Sequence, residues 1–533
     1  MNLVQERWLT FRLRDGSVKM MPMAAICDPD VVDFALPRAD FQGAAYQFAI
    51  GLLQTVFAPE DANEWHDLYE EPPTETILQA SFDKVSHAFN ATGDGPLFMQ
   101  DFDLLESAKP AIISGLLIDA PGGNGLKLNT DHFVKRGMCD VMSLEMAVLS
   151  LFTLQINAPS GGQGHRTGLR GGGPLTTLVM PQRLGSSLWE KLWLNVSDRE
   201  NWDYVEPELN SVDVFPWLGS TKTSEEKDSE IFASNVHELH MYWAMPRRIR
   251  LLIEERNDVC DLSGAVSDRM VTEYRSQNYG CNYSGTWAHP LTPYKWNPKK
   301  PNEEHLSVKG QPGGITYKVW DTLVLTGATE KEGMRSAMPV SNFYSLSRGF
   351  SDIQSEVPRL WVFGYDMDNM KPRCWYSVTM PLFSLEPRQQ EDILYRVKAL
   401  QHLANDVLWQ SRTQIKSAWF DKPGDVKGDT SFIDQAFWQR TEAEFFNTVH
   451  SLIDNMSTNQ PFLSPAQAKS WLQTLRQAAE NLFDGYAMSE LGAERSMAKR
   501  IKARQKLTGW LYGSKPIKNF IKENNIDSLK EAS

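Results

Sequence analysis

Residues 157–180 read NAPSGGQGHRTGLRGGGPLTTLVM, and seven glycines lie between Gly161 and Gly173. Glycine loses more conformational freedom on folding than any other residue, so such a run needs a reason, for example the close approach of a ligand or of another backbone. The candidate visitors are a nucleotide phosphate, a nucleic-acid groove or the backbone of another protein. The alternative is a crossover loop that receives no visitor.

The elements that flank the glycines argue against nucleotide binding. The apolar spacing of Met142 to Gln155 predicts a helix before the glycines, and Leu175 to Met180 reads as a strand after them. Dinucleotide-binding loops run in the opposite order, from strand to glycines to helix, so that the helix N-terminus meets the phosphates. A P-loop also needs a Gly-Lys-Ser/Thr ending, which this segment lacks.

Charge and composition narrow the class further. The chain has 533 residues, which suggests two to four domains, and its net charge is −13 from 67 acidic and 54 basic residues. Such a charge disfavours a free-standing, non-specific nucleic-acid binder but allows a subunit that reads nucleic acid locally. Five cysteines, no visible signal peptide and no membrane-spanning run predict a protein of the reducing cytoplasm.

The pattern along the chain predicts an α+β protein of two domains. Residues 1–383 form a large mixed domain with a helix at Asp40 to Phe57 and a β-rich middle, which includes two strands around a loop at Asp366 to Lys371. Residues 384–533 contain four long apolar periodicities with short connections, which predict an antiparallel four-helix bundle. The last of these helices, Arg495 to Tyr512, is markedly basic.

Metal and catalytic signals are sparse. In the HELH segment, His237 and His240 stand at positions i and i+3, whereas a zinc-protease helix needs histidines at i and i+4. Cys260, Cys281 and His289 could be zinc ligands, but no CxxC pair accompanies them, and buried thiols are the alternative. A metal- or nucleotide-dependent enzyme therefore stays the second hypothesis.

The binding hypothesis uses the glycine backbone itself. Amides of a glycine loop can enter a DNA minor groove where larger side chains would clash. Arg166 and Arg170 could bracket such a loop on phosphates, and Gln163 and His165 offer hydrogen-bond donors.

Five segments in this order resemble the CasA family, the large subunit of the type I-E CRISPR surveillance complex Cascade. They are NLVQERWLTFRLRDG at the start, LLIDAPGGNGLKLNTDHFVKR, NAPSGGQGHRTGLRGGGPLTTLV, YWAMPRRIRL and CNYSGTWAHPLTPYK. The motifs span about the first 380 residues, and the family also ends in a four-helix bundle.

The resemblance implies a subunit without enzymatic activity. In that family the large subunit binds near the 5′ handle of the crRNA and inspects duplex DNA for a short protospacer-adjacent motif (PAM). It then helps to open the duplex for R-loop formation and provides a docking surface for a helicase–nuclease effector. The implied partners are crRNA, double-stranded DNA, the backbone and small subunits, and the effector. Recruitment of a transposition machinery in place of the nuclease is the alternative.

Family members read the motif from the minor groove with a glycine loop, a lysine-bearing finger and a β-hairpin wedge. The resemblance places the wedge at the hairpin tip, with Asn369 as the favoured splitting residue. It places the finger in PYKWNPKKP, with Lys295 in reserve. The implied DNA-reading residues are Ser160, Gly161, Gly162, Gln163, Gly164, Lys299, Lys300, Asp368, Asn369 and Met370.

The remaining implied contacts concern RNA, metal and phosphates. The loop Pro121 to Arg136 matches the segment that approaches the RNA handle and a backbone subunit, through Asn129, Phe133, Lys135 and Arg136. Some relatives carry a four-cysteine zinc knuckle, of which only Cys260 and Cys281 remain here, so we expect no cofactor. Further basic patches for phosphates are Arg247, Arg248 and Arg250, and Lys499, Lys502 and Lys506.

Overall fold

The computed structural model divides the chain into two compact units. It describes residues 1–120, 137–159, 161–162, 164–183, 185–300, 303–324, 333–350, 353, 358–368, 371–383, 387–425, 428–457, 463–489 and 496–526. Unit 1 comprises Met1–Gly310 and Glu330–Ser384, and unit 2 comprises Gln311–Thr329 and Leu385–Ser533. The assignment of Gln311–Thr329 to the helical unit was not anticipated, because this segment lies far from the final helices in sequence.

Unit 1 is built around the first long helix, Ala39–Val56 (α1), close to the predicted Asp40 to Phe57. Phe48 of α1 lies at the centre of its aromatic core, where its ring makes edge contacts with Trp8, Phe152 and Trp243 at 5.5 to 5.9 Å between centroids. The other helices of unit 1 are Ala62–Glu70 (α2), Glu75–Asp83 (α3), Leu144–Asn157 (α4), Leu188–Trp193 (α5), His240–Trp243 (α6) and Met338–Gly349 (α8); the intervening helix Trp320–Val324 (α7) belongs to unit 2.

Four small antiparallel sheets complete the described part of unit 1. Their strands are Leu9–Leu13 (β1), Val18–Met21 (β2), Val31–Phe34 (β3), Ala111–Ile112 (β4), Met142–Ser143 (β5), Thr176–Met180 (β6), Arg248–Val259 (β7), Val266–Gln277 (β8), Tyr294–Lys295 (β9), Leu306–Ser307 (β10), Met334–Arg335 (β11), Arg359–Asp368 (β12) and Lys371–Pro381 (β13). The strand orders are β2-β1-β3, β10-β9-β11, β13-β12-β6 and β4-β8-β5, and β7 pairs with β8.

The sheet that contains β12 and β13 positions the candidate site. The two strands form a hairpin in which Arg359 pairs with Pro381 and Asp368 pairs with Lys371, which confirms the strand pair expected from the sequence. On its other edge β12 pairs with β6, the strand that follows the glycine segment. The helix α4 and the strand β6 therefore flank the glycines in the order that the sequence predicted.

Unit 2 contains the C-terminal helices. Its helices are Trp320–Val324 (α7), Pro387–Trp419 (α9), Ser431–Ser457 (α10), Pro465–Ala487 (α11), Met497–Gly513 (α12) and Lys515–Glu523 (α13). Ser464 caps α11 in a capping box with Gln467. The helices α9 to α12 pack on one another, and the mixed fold with C-terminal helices confirms the predicted fold class.

Aromatic packing explains why the segment before α7 belongs with these helices. The ring of Tyr317 stacks on Phe445 with 4.1 Å between centroids, and its hydroxyl lies 2.8 Å from Thr441 Oγ1. Its carbonyl accepts a hydrogen bond from Gln401 at 2.8 Å.

Within the described residues, no helix is long and apolar enough to cross a membrane.

Candidate nucleic-acid interface

The glycine segment starts at the end of α4 and is tied to distant strands. The guanidinium of Arg247 donates to the carbonyl of Pro159, and the amide of Gly168 donates to Ala158 O at 2.9 Å. The amide of Tyr279, just after β8, donates to Gly164 O at 2.6 Å. These bonds fix the described chain before and after Gly161 and Gly162.

The stretch at Gly161 and Gly162 exposes bare backbone. Both residues are exposed, and Gly162 has a φ of +94°. A side chain at Gly162 would meet no heavy atom of the described residues within 4 Å, so open space surrounds it. We call Gly161 and Gly162 the glycine tip. The neighbouring predicted residues Ser160 and Gln163 lie outside the described residues.

The later glycines are packed instead of open. A Cβ at Gly173, where φ is +65°, would lie 2.6 Å from Met367 Cγ and 2.7 Å from Tyr365 O of β12. A Cβ at Gly171 would lie 2.9 Å from the ammonium of Lys309. These glycines let the segment lie directly against the hairpin and against residues 307–310.

Arg170, one of the predicted phosphate contacts, lies inside the fold. Its side chain is buried, and its guanidinium donates to Thr176, Thr292, Gln47 and the carbonyl of Ile156 at 2.9 to 3.1 Å. Burial lowers the pKa of Arg170 to about 10. The prediction of a phosphate contact was wrong, because the guanidinium is enclosed in the core and its donors are used there.

Arg166 stands in a different environment. Its Nε donates to Ser224 Oγ at 2.7 Å and its Nη2 donates to Ser224 O at 3.1 Å. One edge of the guanidinium is therefore fixed by the protein, and the residue as a whole is half-buried. The nearby His165 is also half-buried, and desolvation together with the charge of Arg247 lowers its pKa. His165 is therefore neutral at pH 7.

The predicted lysine finger lies on exposed chain after β9. Lys295, Lys299 and Lys300 are all exposed. Lys300 forms an ion pair with Glu303, with 2.7 Å between Nζ and Oε1. The backbone amide of Lys299 is held by Asn297 Oδ1 at 3.0 Å, which orients the turn. Lys299 thus has the more available ammonium of the two finger lysines.

The hairpin presents a charged end with a firm base. Asp366 is buried, and both of its oxygens accept hydrogen bonds from Arg373 at 2.7 and 3.0 Å. Asp368, the last residue of β12, is exposed and lies 3.4 Å from the same guanidinium. The predicted tip residues Asn369 and Met370 lie outside the described residues.

A cleft of about 490 Å³ lies beside the packed glycines and brings distant residues together. Its lining residues are Thr167, Gly168, Leu169, Arg170, Gly171, Gly172, Tyr283, Ser284, Gly285, Trp287, Tyr294, Glu304, His305, Leu306, Ser307, Lys309 and Met367. Lys309 was not predicted from the sequence, because its placement depends on strand pairing with Pro174 over a long separation in the chain.

The predicted patch of Arg247, Arg248 and Arg250 is not a free basic surface. Arg248 is buried and donates to Asp101 at 2.7 Å and to Asp103 at 3.2 Å. Arg250 donates to the carbonyl of Asp101. Burial lowers the pKa of Arg247 to about 10. This prediction was wrong for Arg247 and Arg248, whose side chains are buried, whereas Arg250 is half-buried.

The predicted phosphate-binding lysines of the basic helix α12 in unit 2 differ in whether they are paired. Lys499 forms an ion pair with Asp421 at 2.6 Å, so its charge is largely compensated. Lys502 and Lys506 are exposed, and no ion pair is present for either within the described residues. Only these two of the three predicted lysines offer free ammonium groups to a phosphate.

The structure separates the two cysteines that were considered as zinc ligands. Cys260 follows the end of β7, while Cys281 lies beyond the opposite end of the same hairpin, and strands of this length rise roughly 35 Å. One metal ion cannot bind to both. Burial also raises the pKa of Cys281 to about 12, which opposes formation of a thiolate ligand.

The histidines are engaged by protein groups. The Nδ1 of His289 accepts a hydrogen bond from the amide of Leu291, and burial lowers the pKa of His289 well below its usual range. The ring of His240 bonds to Asp213 O and Tyr283 Oη. Within the part of the chain that the structure describes, no group of three or more His, Cys, Asp or Glu side chains could hold a metal ion. The RNA-contact predictions Asn129, Phe133, Lys135 and Arg136 lie outside the described residues.

Comparison with known proteins identifies the class. The family model of the CRISPR-associated protein Cse1 matches residues 2–482, nearly the whole chain, so the chain is a CRISPR-associated protein. The chain belongs to the Cse1 family, also named CasA, whose members are the large subunits of the type I-E Cascade complex. This confirms the resemblance found in the sequence motifs.

Solved structures share the fold over their full length. CasA (Cse1) of Thermus thermophilus is 17% identical, with coverage of 96% of this chain and 99% of that chain and a TM-score of 0.63. Cse1 of Acidimicrobium ferrooxidans is 16% identical, with coverage of 98% and 99% and a TM-score of 0.63. A chain of a CRISPR RNA-guided surveillance complex is 15% identical, with coverage of 96% and 99% and a TM-score of 0.65.

Proposed function

We propose that this Cascade subunit recognises the PAM in double-stranded DNA through the minor groove and then opens the duplex to start R-loop formation. It would act in the cytoplasm without catalysing a reaction and without a cofactor. Its partners would be the crRNA, through residues of the loop 121–136, the other Cascade subunits, and a helicase–nuclease effector that docks on the assembled complex.

The observation that carries the proposal is the glycine tip. The minor groove is only about 6 Å wide, and its pattern of hydrogen-bonding groups is degenerate, so a reader gains from a thin backbone that brings amides close to the base edges. Gly161 and Gly162 provide such a backbone, which is exposed at its end and tied to the rest of the fold on both sides.

The hairpin of β12 and β13 supports the opening step. A wedge that unstacks a base step works against a few kcal/mol, so its base must not yield. The pair of Asp366 and Arg373 joins the two strands near the tip, and β6 pairs with β12 along the other edge. We assign the wedge to Asp368, Asn369 and Met370, with Asn369 inserted at the first base pair.

The lysines after β9 would hold the phosphates beside the motif. Lys299 is the favoured contact because the ammonium of Lys300 is already paired with Glu303. A Lys299→Gln change should therefore weaken duplex binding more than Lys300→Gln. Equal effects would mean that the ion pair of Lys300 opens when DNA binds.

A substitution at the glycine tip tests recognition. In the assembled complex with crRNA, Gly162→Ala should weaken binding to PAM-bearing duplex about tenfold, equal to about 1.4 kcal/mol, and spare binding to a target with a pre-opened bubble. The matched control is Gly16→Ala, because Gly16 also has a positive φ (+87°) and open space around it but lies in the turn between β1 and β2. Equal loss on both targets would mean that the tip is architectural, which would contradict the proposal.

A substitution at the hairpin tip tests opening. Asn369→Ala should slow strand separation, followed by a base-analogue fluorophore next to the PAM, more than it slows initial association. A pre-opened bubble should restore wild-type behaviour. Slower association with an unchanged opening rate would contradict the wedge role. Lys371→Gln, at the other side of the tip, separates loss of a nearby charge from loss of the wedge.

A further inference from the structure

Lys309 has a rigid backbone that joins the two parts of the proposed reader. Lys309 pairs with Pro174 of the glycine segment in a β-bridge, and the next residue, Gly310, pairs with Asp366 of the hairpin. The amide of Leu175 also donates to Val308 O at 2.9 Å. Because backbone pairing holds it on both sides, the start of the Lys309 side chain is fixed relative to the glycine segment and to β12.

Among the described residues, no carboxylate forms an ion pair with the ammonium of Lys309. Among the residues that the structure describes, Nζ forms neither an ion pair within 4.0 Å nor a hydrogen bond. The side chain keeps access to solvent while it lines the cleft, and partial desolvation lowers its pKa without an opposing carboxylate. In comparison, Lys191 forms an ion pair with Asp33, and Lys300 forms one with Glu303.

Gly171 makes room for this ammonium. A Cβ at Gly171 would lie 2.9 Å from Nζ of Lys309, closer than atoms in ordinary contact allow. Gly171 also has a φ of +76°, which side-chain-bearing residues rarely adopt. The glycine segment therefore leaves space for the cation at the wall of the cleft, and the donor groups of the ammonium stay available to an incoming anion.

From the sequence, two cations, Arg166 and Arg170, were expected to bracket the glycine loop. Arg170 is buried and its donors are used by the core, whereas Lys309 lies beside Gly171, the residue next to Arg170. Arg166 lies between Gly164 and Gly168 in the sequence and is held by Ser224. The pair that the fold offers to phosphates is thus Arg166 and Lys309.

We propose that Lys309 binds a backbone phosphate of the target duplex at the cleft beside Gly171 and so positions the minor groove for the glycine tip. This inference rests on the proposed function. A phosphate contact carries no sequence information, so Lys309 would set the register and orientation of the duplex while the glycine backbone reads the base edges.

The test uses the assembled complex with crRNA and compares Lys309→Gln, Lys309→Arg and the exposed control Lys84→Gln. We expect Lys309→Gln to bind every duplex, with or without a PAM, about five- to tenfold more weakly at 0.1 M salt. The slope of log affinity against log salt should fall by about 0.9, which is the change expected for one phosphate contact. Lys309→Arg and Lys84→Gln should keep the wild-type slope.

Three outcomes would overturn the inference. The first is an unchanged salt slope in Lys309→Gln. The second is a loss confined to PAM-bearing duplex, which would make Lys309 a base reader. The third is reduced recovery of crRNA with the purified complex, because the same chemistry would then serve an RNA phosphodiester. Failure of the proposed function is separate: in that case Gly162→Ala and the wild type bind PAM-bearing duplex equally, whatever Lys309→Gln does.

Discussion

The two halves of the glycine segment use the same residue for opposite purposes. At the glycine tip, the missing side chain of Gly162 faces open space, so the backbone itself is on offer. The space that a side chain would take is filled by Lys309 at Gly171, and by Met367 and Tyr365 at Gly173. The backbone at Gly162 thus provides access for a partner, whereas Gly173 provides close packing that fixes the loop against the hairpin. Substitutions should separate these purposes.

The largest effect is expected from Gly173→Ala. The new Cβ would lie 2.7 Å from a backbone oxygen of β12, and the residue would have to keep a positive φ. Overpacking and the left-handed conformation together should reduce the free energy of unfolding by about 4 kcal/mol. Urea denaturation checks this value. Gly16→Ala, which has only the conformational cost, should lose about 1 kcal/mol, and a similar small loss at Gly173 would contradict close packing.

Gly164→Ala tests where the boundary between the halves lies. A Cβ there would lie 2.6 Å from Asn278 Cβ and 3.0 Å from the amide of Tyr279, at a φ of +75°. We expect a loss of about 3 kcal/mol in stability. Because the loop would be displaced as a whole, binding to PAM-bearing duplex and to a bubble target should both weaken. A loss confined to PAM-bearing duplex would assign Gly164 to the tip.

Arg170→Met examines the packed half from inside. It removes four hydrogen bonds but also removes a buried charge, so the net loss should be about 2 kcal/mol in stability. The salt slope of DNA binding should not change, because Arg170 has no access to phosphates. Arg166→Gln is the matched variant: we expect a stability change under about 1 kcal/mol and a lower salt slope. A lower slope in Arg170→Met would restore the prediction made from the sequence.

The sequence supplied the elements on either side of the glycines because their signals are local. The apolar spacing of α4 and the strand pattern of β6, β12 and β13 can be read within a few turns of chain. The roles of single cations could not be read in this way. Arg170 is buried because Gln47 and Thr292 meet it from 123 and 122 residues away, and Lys309 is placed by its bridge to Pro174.

The same distinction applies to the other corrected predictions. Four long helices were predictable from their periodicity. The stacking of Tyr317 on Phe445 and its hydrogen bond with Thr441, however, depend on tertiary packing. Cys260 and Cys281 are close in sequence, yet the length of β7 and β8 places them at opposite ends of a hairpin. Two residues that are close in sequence can share a binding site only where the chain between them folds back and brings them together in space.

The smallest expected effect concerns pH and the first half of the segment. Desolvation and the charge of Arg247 lower the pKa of His165, so the folded loop favours the neutral ring. As the pH falls below about 6.5, the unfolded chain takes up a proton before the folded loop does, and the loop loses stability. NMR of labelled histidine should show this lowered pKa. Arg247→Gln should raise it towards the ordinary value, whereas Arg256→Gln, which replaces an exposed arginine of β7 that is paired with Glu254 and Asp258, should leave it unchanged. An unaltered pKa in Arg247→Gln would mean that burial alone keeps the ring neutral.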